Sequence, residues 1–118
     1  MSKKGKGAIR LYAFNSKQYE CPFDCFIDIL KGKWRTTILL LLAQKPQRFA
    51  QLQRQIGGIS AKVLSENLQV LEANTILHRE VYPTVPPTVE YSLTEKGTVL
   101  IHIMNDINEW SHTYLINE

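Results

Sequence analysis

Short polar side chains recur between residues 60 and 73, where helical spacing would gather them on one face. Leu64, Leu68 and Leu71 fall on the opposite face of such a helix. The polar face comprises Ser60, Ala61, Lys62, Ser65, Glu66, Asn67 and Gln69. An ordinary solvated helix more often alternates Glu and Lys. This face therefore predicts hydrogen bonding to a partner with ordered donors and acceptors.

The edges of nucleic-acid bases are the partner that these side chains fit best. Amides can bind adenine through both of their polar groups, and hydroxyl and ammonium groups bind several acceptors. We predict Ala61, Ser65 and Asn67 as base-reading positions. Ser60 and Lys62, near the start of the helix, suit phosphates. The competing interpretation of each single residue is an exposed helix position without a role.

The charge distribution also favours a polyanionic partner. Seven basic residues and no acid lie between Lys31 and Ser65, whereas eight acids and two basic residues follow from Glu66 onward. Such asymmetry is typical of nucleic-acid binding, although chance clustering of surface charge would look the same. Within this pattern, the predicted backbone contacts are Arg48, Arg54, Arg79 and Thr84.

Cys21 is a candidate reactive thiol because it directly precedes Pro22 at a predicted helix start. The positive end of the helix dipole favours the thiolate there, while the charges of Asp24 and Asp28 oppose it. Cys25 is predicted as a small core residue. A bond between the two cysteines would be strained, since Cβ atoms four residues apart on a helix are about 5–6 Å apart. A disulfide of Cys21 would therefore join a second chain or a small thiol.

Catalytic and metal-binding signals are weak. The three histidines are scattered, and no Cys/His cluster, Gly-rich phosphate loop or nucleophile triad is visible. We therefore predict no enzyme activity, no metal and no cofactor. The sequence has no apolar run that would span a membrane and no signal peptide, so we expect a cytoplasmic protein.

The hydrophobic periodicity and the positions of Gly and Pro predict five helices and one hairpin. The first three helices start at Pro22, Trp34 and Phe49, and Ser60 and Thr94 are the predicted N-caps of the last two. The strands cover residues 77–82 and 88–93. Gly57-Gly58 separates the third helix from the fourth, and a proline-rich loop joins the strands. The expected fold is mainly α with a small β-hairpin, a winged helix-turn-helix.

The last helix carries too many apolar residues for one buried stripe. Its predicted dimer interface comprises Leu100, Met104, Ile107, Trp110 and Tyr114. A chain of 118 residues has too little protein to surround such a helix, so we expect a homodimer through N- and C-terminal elements. A helix fully buried in a monomer is the alternative.

Three segments resemble the HxlR-type transcription regulators, relatives of the MarR-type winged-helix proteins: "CPFDCFIDILKGKW", "RFAQLQRQIGGISAKVLSENLQVLE" and "REVYPTVPPTVEYSLTEKG". The resemblance covers about residues 21–112 and implies a homodimeric DNA-binding repressor or activator. It implies a recognition helix at 60–73, a wing at 78–93 and, as in some members, a Cys21 that senses oxidants or electrophiles. Asn67 and Gln69 stand where many relatives carry Arg, and "EANTI" replaces an acid and Gly.

The sequence therefore predicts a basic extension at residues 1–20 and a winged helix-turn-helix domain at 21–118. The predicted function is transcription regulation on a palindromic operator in double-stranded DNA, with Cys21 as the redox site and an oxidant or small molecule as the effector. Two alternatives stay open. One is a regulator gated by a small apolar ligand near the dimer interface, and the other is a winged-helix module that binds protein.

Overall fold

The computed structural model describes residues 10–117, which divide between Lys33 and Trp34 into two compact units. The predicted boundary after residue 20 falls inside the first unit. Residues 1–9 of the predicted basic extension lie outside the described residues.

The first unit contains a short hairpin and a helix. Strands β1 (Tyr12–Phe14) and β2 (Lys17–Tyr19) pair antiparallel, and helix α1 (Pro22–Leu30) follows. Both turn residues have positive φ, 50° at Asn15 and 63° at Ser16, as a tight hairpin turn requires. Pro22 occupies the predicted start of α1, and Cys21 is its N-cap residue. This hairpin could not be predicted from the sequence, because strands of three residues are too short to show an alternating pattern.

The second unit holds the remaining four helices and a three-stranded sheet. The helices are α2 (Arg35–Gln44), α3 (Phe49–Ile56), α4 (Ala61–Ala73) and α5 (Glu95–Leu115). The strands are β3 (Gln47–Arg48), β4 (Leu77–Tyr82) and β5 (Thr88–Leu93), in the order β3-β5-β4. The predicted helices and hairpin are confirmed. Strand β3 is additional, and it ties the start of α3 to the wing through the pairs Gln47–Tyr91 and Arg48–Glu90.

The turn between α3 and α4 is built by two glycines and a cap. Gly57 and Gly58 both have positive φ, at 66° and 72°, which residues with a Cβ rarely adopt. The hydroxyl oxygen of Ser60 then accepts the Val63 backbone N–H at 3.1 Å. These features end α3 and begin α4 within four residues.

The core of the second unit is a cluster of leucines and isoleucines from α2, α3 and α4. Its fully buried members are Ile38, Leu39, Leu52, Leu64, Leu68 and Leu71. The buried side chain of Gln47 lies among them, donates to the Leu41 carbonyl at 2.9 Å and accepts a hydrogen bond from Gln55. This amide therefore satisfies its own polar groups while joining α2, β3 and α3.

A polar corner connects α4, β4 and α5. Thr94 caps α5 by accepting the Gly97 N–H at 3.1 Å, and its own backbone N–H donates to the Ile76 carbonyl at 3.1 Å. Gly97 packs so closely that an added Cβ would lie 2.3 Å from the Ile76 oxygen. The left-handed residue after α4 is Thr75, with φ 58°.

Candidate nucleic-acid interface

Helix α4 exposes a ridge of polar side chains opposite its leucines. Ala61, Lys62, Glu66 and Gln69 are exposed, and Ser65 is half-buried beside them. The amide of Gln69 donates to the Ser65 hydroxyl at 3.3 Å. Side chains at positions 62, 65, 66 and 69 project together because they lie one turn apart. We call these four residues the α4 ridge.

Asn67, which the sequence predicts as a base reader, lies outside the ridge. Its Oδ1 accepts the Nε–H of Arg35 at 3.0 Å, and its Nδ2 donates to the Val63 carbonyl at 2.8 Å. Both polar groups of the amide are therefore engaged within the protein. Asn67 lies on the flank of α4 that contacts the start of α2, about 100° around the helix from Glu66.

The two arginines around α3 lie at opposite ends of that helix. Arg48 is its exposed N-cap residue, and the Arg48 backbone N–H donates to Gln51 Oε1 at 2.8 Å. Arg54 is exposed in the last turn. Both side chains can thus reach solvent from the helix that precedes the glycine turn.

The wing formed by β4 and β5 carries acidic as well as basic side chains. Arg79 is exposed on β4, but Glu80 and Glu90 face each other across the strands. The negative charge of Glu90 raises the pKa of Tyr82, whose hydroxyl lies 3.3 Å from that carboxylate.

The wing tip is apolar and held by local hydrogen bonds. Val85 is 100% exposed, and the Val85–Pro86 peptide bond is cis. The Thr84 hydroxyl donates to the Pro86 carbonyl at 2.8 Å, so this predicted phosphate donor also stabilises the loop.

A groove of about 380 Å³ separates the wing from the start of α3. Its lining residues are Arg48, Phe49, Ala50, Pro87, Thr88 and Val89. Arg48 is the only charged residue among them.

Helix α5 exposes a continuous apolar stripe. Its members step by four, four, three and four residues: Val99, Ile103, Ile107, Trp110 and Tyr114. The rings of Trp110 and Tyr114 are in contact, with centroids 5.7 Å apart. Among residues 105–117 no residue is buried, so this half of α5 projects from the core of its own unit.

Three of the five residues predicted for the dimer interface lie on this stripe, and two do not. Met104 is 7% exposed and packs in the core of its own chain, so its assignment to a partner surface is corrected. Leu100 is half-buried beside it. The outward positions that the sequence missed are Val99 and Ile103, each one residue earlier on the helix.

Cys21 and Cys25 are both free thiols, and both are half-buried. Cys21 caps α1 through its backbone, since its carbonyl accepts the Asp24 N–H at 3.0 Å. Two turns after Cys21, Asp28 accepts a hydrogen bond from Tyr19, which raises the pKa of Tyr19 to about 12 and lowers the pKa of Asp28.

The described residues contain no group of three or more His, Cys, Asp or Glu that could hold a metal ion. In residues 10–117, no helix is both long and apolar enough to cross a membrane. A helix-turn-helix with a capped second helix, followed by a β-wing and a long helix, defines the winged helix-turn-helix class of proteins.

Comparison with known proteins places the chain within that class. Residues 29–118 match the HxlR-like helix-turn-helix family, and the chain belongs to it. A helix-turn-helix transcriptional regulator from Halalkalibacterium halodurans is 46% identical over 92 residues, which cover 77% of this chain and 81% of the relative. The protein is therefore a transcription regulator and not an enzyme, as predicted.

Two solved structures share the fold. The reduced form of the regulator YodB from B. subtilis has 35% identity and a TM-score of 0.74, covering 80% of this chain and 94% of YodB. The redox regulator HypR in its reduced form has 38% identity and a TM-score of 0.74, covering 79% of this chain and 92% of HypR. Both confirm the winged helix-turn-helix and its resemblance to known regulators.

Proposed function

We propose that this regulator binds a palindromic operator in double-stranded DNA as a homodimer, with α4 in the major groove. The observation that carries the proposal is the α4 ridge, because Lys62, Ser65, Glu66 and Gln69 project together from a helix whose other face is buried. Ser65, Glu66 and Gln69 would read base edges in the major groove, which present ordered donors and acceptors, and Lys62 would contact a phosphate.

Cationic side chains around the ridge would supply the backbone contacts. Arg48, Arg54 and Arg79 are exposed, and no acid lies between Lys31 and Ser65 to offset the charge of the helix-turn-helix. Each phosphate neutralised should add about 0.9 to the slope of log affinity against log salt. The acids of the wing make it the weaker part of this contact surface.

The stripe on α5 supports the homodimer. The stripe is about 22 Å long, and about 15 Å of it continues past the core of its own unit, where an apolar face is costly to leave in water. A second copy covers it with the same stripe, since a two-fold interface is self-complementary. Two recognition helices would then meet successive major grooves, about 34 Å apart.

Cys21 is the residue through which oxidants or electrophiles would act. Its support is the free, half-buried thiol at the N-terminus of α1, together with the likeness to a protein described as a redox regulator. Two-electron oxidation would join Cys21 to a small thiol or to the Cys21 of a second chain, releasing two protons to the oxidant.

Binding to labelled duplexes from the promoter beside this gene tests the proposal. The wild type should prefer one duplex and lose affinity steeply as salt rises, and a thiol oxidant should change its affinity. Cys21→Ser should abolish the oxidant response while Cys25→Ser, the matched control, keeps it.

The other outcomes identify the alternatives. An oxidant response retained by Cys21→Ser would remove Cys21 as the sensor. A ligand that changes the affinity of Cys21→Ser as it changes the wild type would favour a regulator gated by a small molecule. Absence of any duplex preference at low salt would favour a module that binds protein.

A further inference from the structure

Asn67 and Arg35 form a link between the middle of α4 and the first residue of α2. They lie 32 residues apart in the chain, and the Arg35 Nε–H donates to Asn67 Oδ1 at 3.0 Å. The other end of the amide donates to the Val63 carbonyl at 2.8 Å, which fixes the direction in which Oδ1 points. The amide is therefore oriented before it meets the guanidinium.

The geometry of this link restrains the rotation of α4 about its own axis. Leu64, Leu68 and Leu71 hold one side of the helix by packing, which tolerates small slides and rotations. A directional hydrogen bond at the flank is less tolerant, because it weakens as the angle at the hydrogen opens. Because Asn67 lies on the flank of α4, the bond limits rotation of the helix and so fixes the positions of the side chains on the ridge.

We propose that Asn67 is a positioning residue for DNA recognition, acting through Arg35 to set the orientation in which α4 presents its ridge. The inference rests on the proposed DNA-binding function and deepens it. Asn67 touches no base in this account. Its loss instead displaces Lys62, Ser65, Glu66 and Gln69 together.

A positioning residue and a base reader give different specificity patterns. The loss of a base reader relaxes selection at one base pair, whereas displacement of the helix weakens selection at every base pair that the ridge contacts. We expect Asn67→Ala to lower operator affinity about tenfold, roughly the effect of one mismatched base pair, while non-specific affinity and salt slope stay unchanged.

The experiment measures binding of every single-base variant of the operator by wild type, Asn67→Ala, Asn67→Asp, Arg35→Lys and the double variant Arg35→Lys/Asn67→Ala. Arg35→Lys keeps the charge but lacks the Nε–H. It should therefore weaken selection at every base pair that the ridge contacts, as Asn67→Ala does. The double variant should lose no more than either single one. Asn67→Asp keeps an acceptor for Arg35 but loses the donor to the Val63 carbonyl, so its specificity should lie between that of the wild type and that of Asn67→Ala.

Gln69→Ala is the matched control, since it removes an amide two residues away that is exposed on the ridge. Its effect should be confined to a single base pair. Thermal unfolding of each variant separates a loss of specificity from a loss of fold.

Three results would overturn the inference: a loss from Asn67→Ala confined to one base pair, a wild-type specificity profile in Arg35→Lys, or additive losses in the double variant. A wild type without preference for any duplex would overturn the proposed function itself.

Discussion

Helices α4 and α5 each expose a continuous face, and the side chains on those two faces differ in kind. The α4 ridge carries an ammonium, a hydroxyl, a carboxylate and an amide, whereas the α5 stripe carries aliphatic and aromatic groups. A polar ridge gains from a partner with fixed hydrogen-bonding groups, and an apolar stripe gains from one that excludes water. The difference supports the proposal that the chain has two partners, DNA on α4 and a second copy on α5.

The largest expected effect is on the stripe. Trp110→Glu would place a charge on the stripe that we propose as the dimer interface, and we expect it to weaken dimerisation more than 100-fold, because a large aromatic contact is lost and a charge is buried. Sedimentation velocity over a concentration series measures this. Val85→Glu is the control, because Val85 is an exposed apolar residue outside the stripe. Dimerisation unchanged in Trp110→Glu, or lost equally in Val85→Glu, would contradict the comparison.

On the ridge, a change of charge should alter DNA binding and leave dimerisation intact. Lys62→Gln should lower affinity for all duplexes alike and reduce the salt slope by about 0.9, as expected for one phosphate contact. Fluorescence anisotropy between low and moderate salt measures both quantities. Lys96→Gln on α5 is the control of equal charge change. A slope that falls equally in the two variants would show a general charge effect instead of a contact.

Gly97 offers a way to disturb the placement of α5 without touching either face. In Gly97→Ala the new Cβ would meet the Ile76 carbonyl oxygen, which belongs to backbone and cannot rotate away. We expect a loss of about 1–3 kcal/mol in the free energy of unfolding, despite the better helix propensity of Ala. Chemical denaturation measures it. Stability equal to the wild type would mean that the corner opens more easily than its packing indicates.

Most helices and strands of the second unit could be predicted because they are long and their apolar residues are periodic. The bounds of α3, β4 and β5 agree with the sequence analysis, and Ser60 and Thr94 cap α4 and α5 as expected. Strand β3 could not be predicted, since two residues carry no period and its pairing with β5 depends on the fold of the wing.

Side-chain direction was less predictable than element bounds. Met104 and Ile103 are neighbours in sequence but lie 100° apart on the helix, so the choice of buried face depends on the corner at Gly97 that seats α5. Asn67 looked like a base reader because its flank position becomes visible only with Arg35 in place. Arg35 belongs to the basic segment between Lys31 and Ser65, but its position in the sequence does not indicate a contact with α4.

The corner between the two helices also contains a strained residue. Thr75 has φ 58°, a left-handed conformation that disfavours β-branched side chains. Thr75→Gly should therefore raise the free energy of unfolding by about 1 kcal/mol, seen as a melting temperature roughly 4 °C higher. Both dimerisation and DNA affinity should stay at wild-type values. A lower melting temperature would mean that the contacts of the Thr75 hydroxyl outweigh the strain.

The smallest effect is expected in the first unit, which carries neither face. The hydrogen bond from Tyr19 lowers the pKa of Asp28, so its contribution to stability is present above the usual Asp pKa and is lost as pH falls through the lowered value. The raised pKa of Tyr19 means that its contribution is complete below pH 10 and is lost as pH rises toward about 12. In Tyr19→Phe the carboxyl pKa of Asp28 should return toward its usual value, measured by NMR titration. An unchanged pKa would assign the shift to Lys31 and Lys17.

The mass of the complex with DNA tests the division of roles between α4 and α5 most directly. Sedimentation of the protein with a labelled duplex carrying both operator half-sites should give two chains per duplex at low salt, and Trp110→Glu should reduce that occupancy at the same protein concentration. A wild type that stays monomeric and binds no duplex even at low ionic strength would contradict the account.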